Sequence, residues 1–96
     1  MKPSTALESK LAEVRELISS SSTRNPRVFG SVLHGTDTEG SDVDILVDAL
    51  PGTTLFDLGD LHAGLEEILG VPVSLLTPAE LPLGFRDRVL SEARAI

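Results

Sequence analysis

Two short groups of residues carry the chemistry that this sequence suggests: Gly30-Ser31 and, after ten intervening residues, Asp42-Val43-Asp44. A glycine turn exposes backbone N–H groups, which bind the phosphates of an anionic ligand. Mg²⁺ typically takes one or two protein carboxylates, with phosphates and water as its other ligands. In a strand, Asp42 and Asp44 would point to the same side, roughly 7 Å apart, while Val43 faces a core. The spacing therefore predicts a site for a divalent metal and a nucleoside triphosphate.

Helices and strands that could position these groups are predicted to alternate along the chain. Thr5 and Glu8 form a candidate capping box for an amphipathic helix over residues 5–20. A second helix covers about residues 55–69 and ends at Gly70.

The predicted strands cover residues 27–29, 42–48 and 71–76. Before the first of them, a run of serines and Asn25-Pro26 are expected to form a loop. After the last, a final helix would carry the apolar Phe85 on its inner side. We therefore expect one domain of the α/β (α+β) class over the whole chain, with a small mixed sheet and helices packed on one of its faces.

The motif residues resemble a known family. Val28-Phe29-Gly30-Ser31, the ten-residue spacer, Ser41-Asp42-Val43-Asp44 and the apolar Ile45-Leu46-Val47 are similar to the minimal nucleotidyltransferases of the DNA polymerase β superfamily. The strand over residues 71–76 and the closing segment over residues 85–90 extend the similarity to most of the chain. The resemblance implies a polymerase β-like palm core in which Gly30 and Ser31 hold the phosphates of ATP, and Asp42 and Asp44 bind Mg²⁺.

The same resemblance implies a reaction and a partner. The family transfers a nucleoside monophosphate from a nucleotide to an acceptor. Members of this size often lie beside a HEPN-domain ribonuclease toxin and act as its antitoxin, some by adenylylating a tyrosine of the toxin. The resemblance thus implies transfer of AMP to a protein hydroxyl of a HEPN toxin. Because 96 residues leave no room for a separate acceptor-binding domain, we also expect a partner or a second copy of the chain, in a hetero-oligomer or a homodimer.

One position departs from the family's pattern. The family's third aspartate, in the following strand, matches Ser74, and no aspartate occurs between Asp60 and Asp87. Nothing in the spacing of Glu80 argues that it replaces this residue. A serine cannot take a proton from an attacking hydroxyl near neutral pH, and loss of a general base typically costs ~10²–10⁴-fold in rate. Two functions therefore stay open: an adenylyltransferase, and a catalytically impaired, nucleotide-binding antitoxin that neutralises its partner by direct binding.

Other polar residues near the motif have two interpretations each. His34 lies where the family often has a basic residue, so it is either a phosphate ligand or an ordinary surface histidine. Asp48 would lie roughly 13 Å along the strand from Asp44, too far to substitute for the third aspartate easily. Asp37 and Glu39 are interpreted as turn and solvent residues.

Three further predictions concern residues outside the motif. The arginines at the end of the chain, Arg86, Arg88 and Arg94, either contact a nucleotide or partner or form a solvated helix face, and we favour the second. His62 is interpreted as a structural or exposed residue rather than a catalytic one. Phe56 is expected in the core.

Composition limits the remaining function classes. A formal charge of −7 and a pI near 4.6 argue against a protein that binds nucleic acid by itself and favour a basic partner. The absence of cysteine excludes disulfides and thiolate metal sites. The first residues lack a signal-peptide pattern, and no apolar stretch approaches the ~18–20 residues of a membrane span, so we expect a cytoplasmic protein that does not enter membranes.

Overall fold

The computed structural model describes residues 1–96, and a four-stranded sheet with the order β3-β2-β1-β4 organises them. In chain order the elements are α1 (Pro3–Ser9), α2 (Leu11–Ser19), β1 (Thr23–Phe29), α3 (Gly30–His34), β2 (Val43–Ala49), α4 (Leu55–Leu69), β3 (Val73–Leu76), a 3₁₀ helix (Pro78–Glu80), α5 (Arg86–Glu92) and β4 (Arg94–Ala95). Strand β1 pairs antiparallel with β2 and β4, while β3 is parallel to β2. The mixed sheet with its helices confirms the predicted fold class.

The core lies between one face of the sheet and the helices α1, α2 and α4. Val43, Ile45 and Val47 of β2 have no exposed surface, as expected from the alternation of a strand. They belong to one apolar cluster with residues of the three helices, Ala6, Leu7, Val14, Ile18, Leu61, Leu65 and Leu69. The second face is partly covered as well, because Leu46 is fully buried and the 3₁₀ helix contacts β2.

The predicted helix over residues 5–20 is divided into two. Helix α1 ends at Ser9 and α2 begins at Leu11, because Lys10 adopts φ −115° and ψ 16°, outside helical geometry. The expected capping box is also wrong, since α1 begins at Pro3, a residue whose fixed φ suits the first helical position. The apolar positions still reach the core because each short helix packs against it separately.

Strand β1 begins earlier than predicted, at Thr23, and contains Asn25-Pro26 rather than following them. The register with β2 shifts between Arg24 and Arg27, and Asn25 has φ 56°. Such a bulge accommodates a proline and a left-handed residue inside a strand.

Asp48 of β2 stabilises this bulge. Its carboxylate accepts hydrogen bonds from Asn25 Nδ2 at 3.0 Å and from Arg27 Nη1 at 3.0 Å. The Asn25 hydrogen bond, with further help from Arg27, holds the pKa of Asp48 below its usual range although partial burial opposes this. Asp48 therefore has a structural partner set of its own.

Helix α4 has the predicted bounds. A capping box of Thr54 and Asp57 begins it, and Gly70 with φ 69° ends it. Phe56, expected in the core, instead lies in the first helical turn with 85% of its surface exposed, because the helix rotates that position away from the sheet.

The end of the chain also differs from the prediction. Strand β3 begins at Val73 rather than at Val71, and the last helix ends at Glu92. The two-residue strand β4 that follows pairs with β1, and no pattern in the sequence indicated it.

Two side chains of α4 cover the start of edge strand β3. The Val73 N–H donates to Glu66 Oε2 at 3.0 Å, and His62 Nε2 lies 2.6 Å from the Val73 carbonyl oxygen. This supports the structural interpretation of His62. None of the helices combines the length and the apolar character that a membrane crossing requires.

Candidate active site

The glycine-serine pair forms the junction between β1 and α3. Phe29 is extended, Gly30 turns the chain with φ 71°, and α3 begins at once without an intervening loop. The first N–H groups of a helix have no partner within it, so those of Ser31 and Val32 are free to bind an anion. The junction therefore has a glycine turn followed by a helix N-terminus, and the phosphate-binding role of Gly30 and Ser31 stays a prediction.

The pairing of β1 with β2 brings this junction against one of the two carboxylates. Phe29 is the register partner of Asp44, so Gly30 lies beside the Asp44 side chain. A Cβ atom added to Gly30 would overlap Asp44 Oδ2 and lie only 3.0 Å from its Cγ. Position 30 therefore requires glycine for two reasons: its φ is positive, and a side chain would collide with the Asp44 carboxylate.

The two aspartates lie at the start of β2, with Asp42 one residue before the strand rather than inside it. Asp42 is exposed and Asp44 is half-buried. Burial raises the pKa of Asp44, and the negative charge of Asp42 raises it further. Two carboxylates close enough to repel each other fit Mg²⁺, a hard cation that prefers oxygen ligands. The structure contains no group of three or more His, Cys, Asp or Glu residues that could hold a metal ion. A metal ion at this site would therefore have Asp42 and Asp44 as its carboxylate ligands.

Ser74 lies directly beside Asp44. The two residues are partners in the parallel register of β2 and β3, which puts their side chains on the same side of the sheet. Glu80 cannot contribute a carboxylate here because it caps the 3₁₀ helix, accepting hydrogen bonds from the Thr77 N–H and hydroxyl. The site therefore contains two carboxylates and one hydroxyl.

His34 lies at the other end of α3, where its exposed ring lines a groove between α3 and α5. The groove has a volume of about 440 Å³, and Gly30 forms part of its wall. His34 Nε2 is 3.3 Å from Glu92 Oε2 across the groove. The structure thus brings His34 and Gly30 to one groove, and Asp44, which contacts Gly30, is not among the residues that line it.

Asp37 is not the solvent residue that we expected. It is 7% exposed, and its Oδ2 accepts a hydrogen bond of 2.8 Å from the N–H of Ser4, in the first turn of α1. This hydrogen bond lowers the pKa of Asp37 although burial opposes the shift. This hydrogen bond connects the loop before Asp42 to α1. The two bonded residues are 33 positions apart in the sequence, so no local sequence pattern could predict their contact.

The arginines of α5 do not form a uniformly solvated face. Arg86 Nη2 donates to the carbonyl oxygens of Ala79 and Leu81, at 3.0 and 2.8 Å, so this side chain connects α5 to the 3₁₀ helix. Arg88 lies on the wall of the groove and pairs with Glu92.

This chain is similar to known proteins in sequence. The sequence profile of the nucleotidyltransferase domain family matches residues 9–96. A protein of Methanocaldococcus jannaschii, provisionally named protein adenylyltransferase MJ0435, is 42% identical over 66 residues, which are 69% of this chain and 71% of that protein. Protein adenylyltransferase MntA of Thermococcus cleftensis is 38% identical over 81 residues, which are 84% of this chain and 82% of that protein.

Two solved structures are also similar. One, provisionally described as a minimal nucleotidyltransferase, has a TM-score of 0.83 at 36% identity and covers 100% of this chain and 95% of its own. Another, a crystal structure of a toxin-antitoxin with AMP-PNP, has a TM-score of 0.70 at 24% identity, with coverage of 92% and 70%, and shows a shared fold. Because the family profile and the relatives span most of its length, this chain belongs to the nucleotidyltransferase domain family, among the minimal nucleotidyltransferases.

Proposed function

We propose that this chain is a Mg²⁺-dependent adenylyltransferase that transfers AMP from ATP to a protein hydroxyl, as the antitoxin of a HEPN-type toxin. The observation that carries the proposal is the contact of Gly30 with Asp44, because a turn suited to phosphate binding and a carboxylate suited to Mg²⁺ are then neighbours. Two relatives are named protein adenylyltransferases, which supports AMP as the transferred group and a protein as the acceptor. A fold relative solved as a toxin-antitoxin with AMP-PNP supports the nucleotide and the partner.

In the proposed reaction the backbone at Gly30 and Ser31 holds the phosphates. Asp42 and Asp44 would hold Mg²⁺, which neutralises phosphate charge and orients the triphosphate when it is bound. The acceptor oxygen forms a bond to the α-phosphorus, the bond from that phosphorus to the β-phosphate oxygen breaks, and pyrophosphate leaves. Ser74 can hydrogen-bond the acceptor hydroxyl but cannot take its proton near neutral pH, so the proton goes to water. We expect slow turnover, sufficient for a single modification of a partner.

Ser74 beside Asp44 also favours a second candidate function. In this alternative the chain binds a nucleotide at the same site without transferring it, and neutralises the toxin by covering it. The net charge of −7 suits a basic partner in both cases.

The two functions separate in one experiment. The chain is incubated with Mg²⁺, ATP labelled at the α-phosphate and the protein encoded by the neighbouring gene. Label on that protein that disappears with Asp42→Asn and with Asp44→Asn supports the enzyme. Asp60→Asn is the matched control, because it removes the same charge from an exposed position on α4 and should leave labelling unchanged. Neutralisation that persists in both motif variants, without label, supports the second function instead.

A further inference from the structure

The groove between α3 and α5 adjoins the phosphate-binding turn and contains the residues that carry this inference. A nucleoside triphosphate is strongly anionic, and here it would approach a chain with a net charge of −7, close to Asp42 and Asp44. One divalent cation does not balance these charges. Helix α3 itself has no lysine or arginine. A cationic side chain must therefore reach the phosphates from another element.

Three of the six arginines of the chain are unsuited to this role because backbone carbonyl oxygens or a carboxylate already hold them. Arg24 donates to the carbonyl oxygens of Ser21 and Thr23, and Arg27 is paired with Asp48. Arg86 donates to the carbonyl oxygens of Ala79 and Leu81. Arg88 is the arginine that lines the groove together with Gly30.

The guanidinium of Arg88 has free donors. Its Nε is 3.2 Å from Glu92 Oε1, its side chain is 76% exposed, and neither Nη atom makes a hydrogen bond. The second oxygen of Glu92 lies 3.3 Å from His34 Nε2. The Glu92 carboxylate thus lies between the Arg88 guanidinium and a ring nitrogen of His34, as a phosphate group would.

We propose that the α3–α5 groove binds the distal phosphates of the nucleotide, with Arg88 as their cationic ligand and Glu92 as an internal competitor that phosphate displaces. Glu92 keeps Arg88 and His34 turned into the groove while the site is empty of nucleotide. The inference rests on the proposed function, because it takes the nucleotide of that reaction as its ligand.

The two members of the Arg88–Glu92 pair should have opposite effects on nucleotide affinity. Arg88→Gln removes a charge-assisted contact to phosphate and should weaken AMP-PNP binding about tenfold. Glu92→Gln removes the competing carboxylate and should tighten binding about twofold to fivefold, as expected for an exposed ion pair. AMP, which lacks the distal phosphates, should bind Arg88→Gln and the wild type equally. The dissociation constants are measured by calorimetry with Mg²⁺, and a thermal melt of each variant verifies folding.

Matched controls separate this contact from the effect of net charge. Arg94→Gln makes the same charge change as Arg88→Gln on β4, and Asp87→Asn makes the same change as Glu92→Gln on α5 outside the groove. Each control should shift affinity less than twofold at 0.15 M salt, since exposed charges are screened.

Three outcomes would overturn the inference. If the pair serves only to stabilise α5, Arg88→Gln and Glu92→Gln will change affinity in the same direction. If Arg88→Gln behaves like Arg94→Gln while the wild type binds AMP-PNP, the groove is not the phosphate site and the proposed function is unaffected. A wild-type chain that does not bind AMP-PNP contradicts the inference and the nucleotide part of the proposed function together.

Discussion

Gly30 and Asp44 are in such close contact that position 30 has no room for a side chain. The antiparallel register of β1 and β2 aligns Phe29 with Asp44, and the left-handed turn at Gly30 then directs α3 past the carboxylate. The turn proposed to bind phosphate and the carboxylate proposed to bind the metal are therefore brought together by backbone geometry. Changes at this contact should affect ligand binding and stability together.

Gly30→Ala should abolish nucleotide binding and destabilise the fold. The added Cβ would displace the Asp44 carboxylate, and an alanine in the left-handed region costs about 1–2 kcal/mol. Urea unfolding and AMP-PNP calorimetry measure the two effects. Gly40→Ala is the control, because Gly40 has no positive φ and no atom within 4 Å of an added Cβ. If Gly30→Ala binds AMP-PNP with full affinity, nucleotide binding does not depend on the present position of the Asp44 carboxylate.

Ser74→Asp should raise the rate of adenylyl transfer, by up to ~10²-fold, because it puts a general base beside Asp44. The third carboxylate should also make thermal stability more dependent on Mg²⁺, since repulsion from Asp44 is relieved only when a cation is bound. Ser74→Asn introduces a side chain of nearly the same size as that of Ser74→Asp but without its charge, so it should show neither effect. The rate of labelling and the shift in Tm with Mg²⁺ test the two parts separately. If neither quantity changes in Ser74→Asp, the role assigned to position 74 is wrong.

Asp37→Asn should reduce the sensitivity of the fold to acid. The hydrogen bond from Ser4 lowers the folded-state pKa of Asp37 below its ordinary value of 3.8. The unfolded chain therefore binds a proton at higher pH than the folded chain, so the stabilisation from Asp37 is present above pH 3.8 and is lost as pH falls through the folded-state pKa. In melts between pH 6 and pH 2.5, the wild type should lose its advantage in Tm over Asp37→Asn below about pH 3.8. If the Tm difference between the wild type and Asp37→Asn stays constant down to pH 2.5, ionisation of the Asp37 carboxylate does not stabilise the fold.

His62→Ala and Glu66→Ala should each lower the free energy of unfolding by about 0.5–1.5 kcal/mol, since each removes a hydrogen bond to the backbone of Val73. Neither change should alter the affinity for AMP-PNP. Glu67→Ala, on the same helix but exposed, is the control for helix propensity. Loss of nucleotide binding in His62→Ala, without loss of stability, would contradict the structural assignment of this histidine.

Local signals were sufficient for the parts of this fold that neighbouring residues determine. Helix α4 has the bounds predicted for it, because its start and its stop are encoded within a few residues, down to the left-handed Gly70. The strand alternation of Val43, Asp44 and Ile45 was likewise readable, because side chains of a strand change sides at each residue.

Long-range contacts explain the errors. Asn25-Pro26 is a loop signal by itself, yet it lies within β1 because Asp48 of the neighbouring strand stabilises the bulge. Asp37 resembles a turn residue until Ser4, distant in sequence, donates a hydrogen bond to it. No local sequence pattern indicates that Asp48 is the partner of Asn25 or that Ser4 is the partner of Asp37.

The sequence by itself determined which chemistry this chain can offer: a glycine turn, two aspartates at strand spacing, and a serine in place of a third carboxylate. Only the tertiary structure decided how these groups meet. The contact of Gly30 with Asp44 depends on the register of β1 against β2, and the position of Ser74 beside Asp44 depends on the parallel register of β3. It also brought Arg88 and Glu92 of α5 to the groove beside Gly30. The physical reason is that residue types define donors and charges, whereas distances between remote residues depend on how the whole sheet and its helices pack.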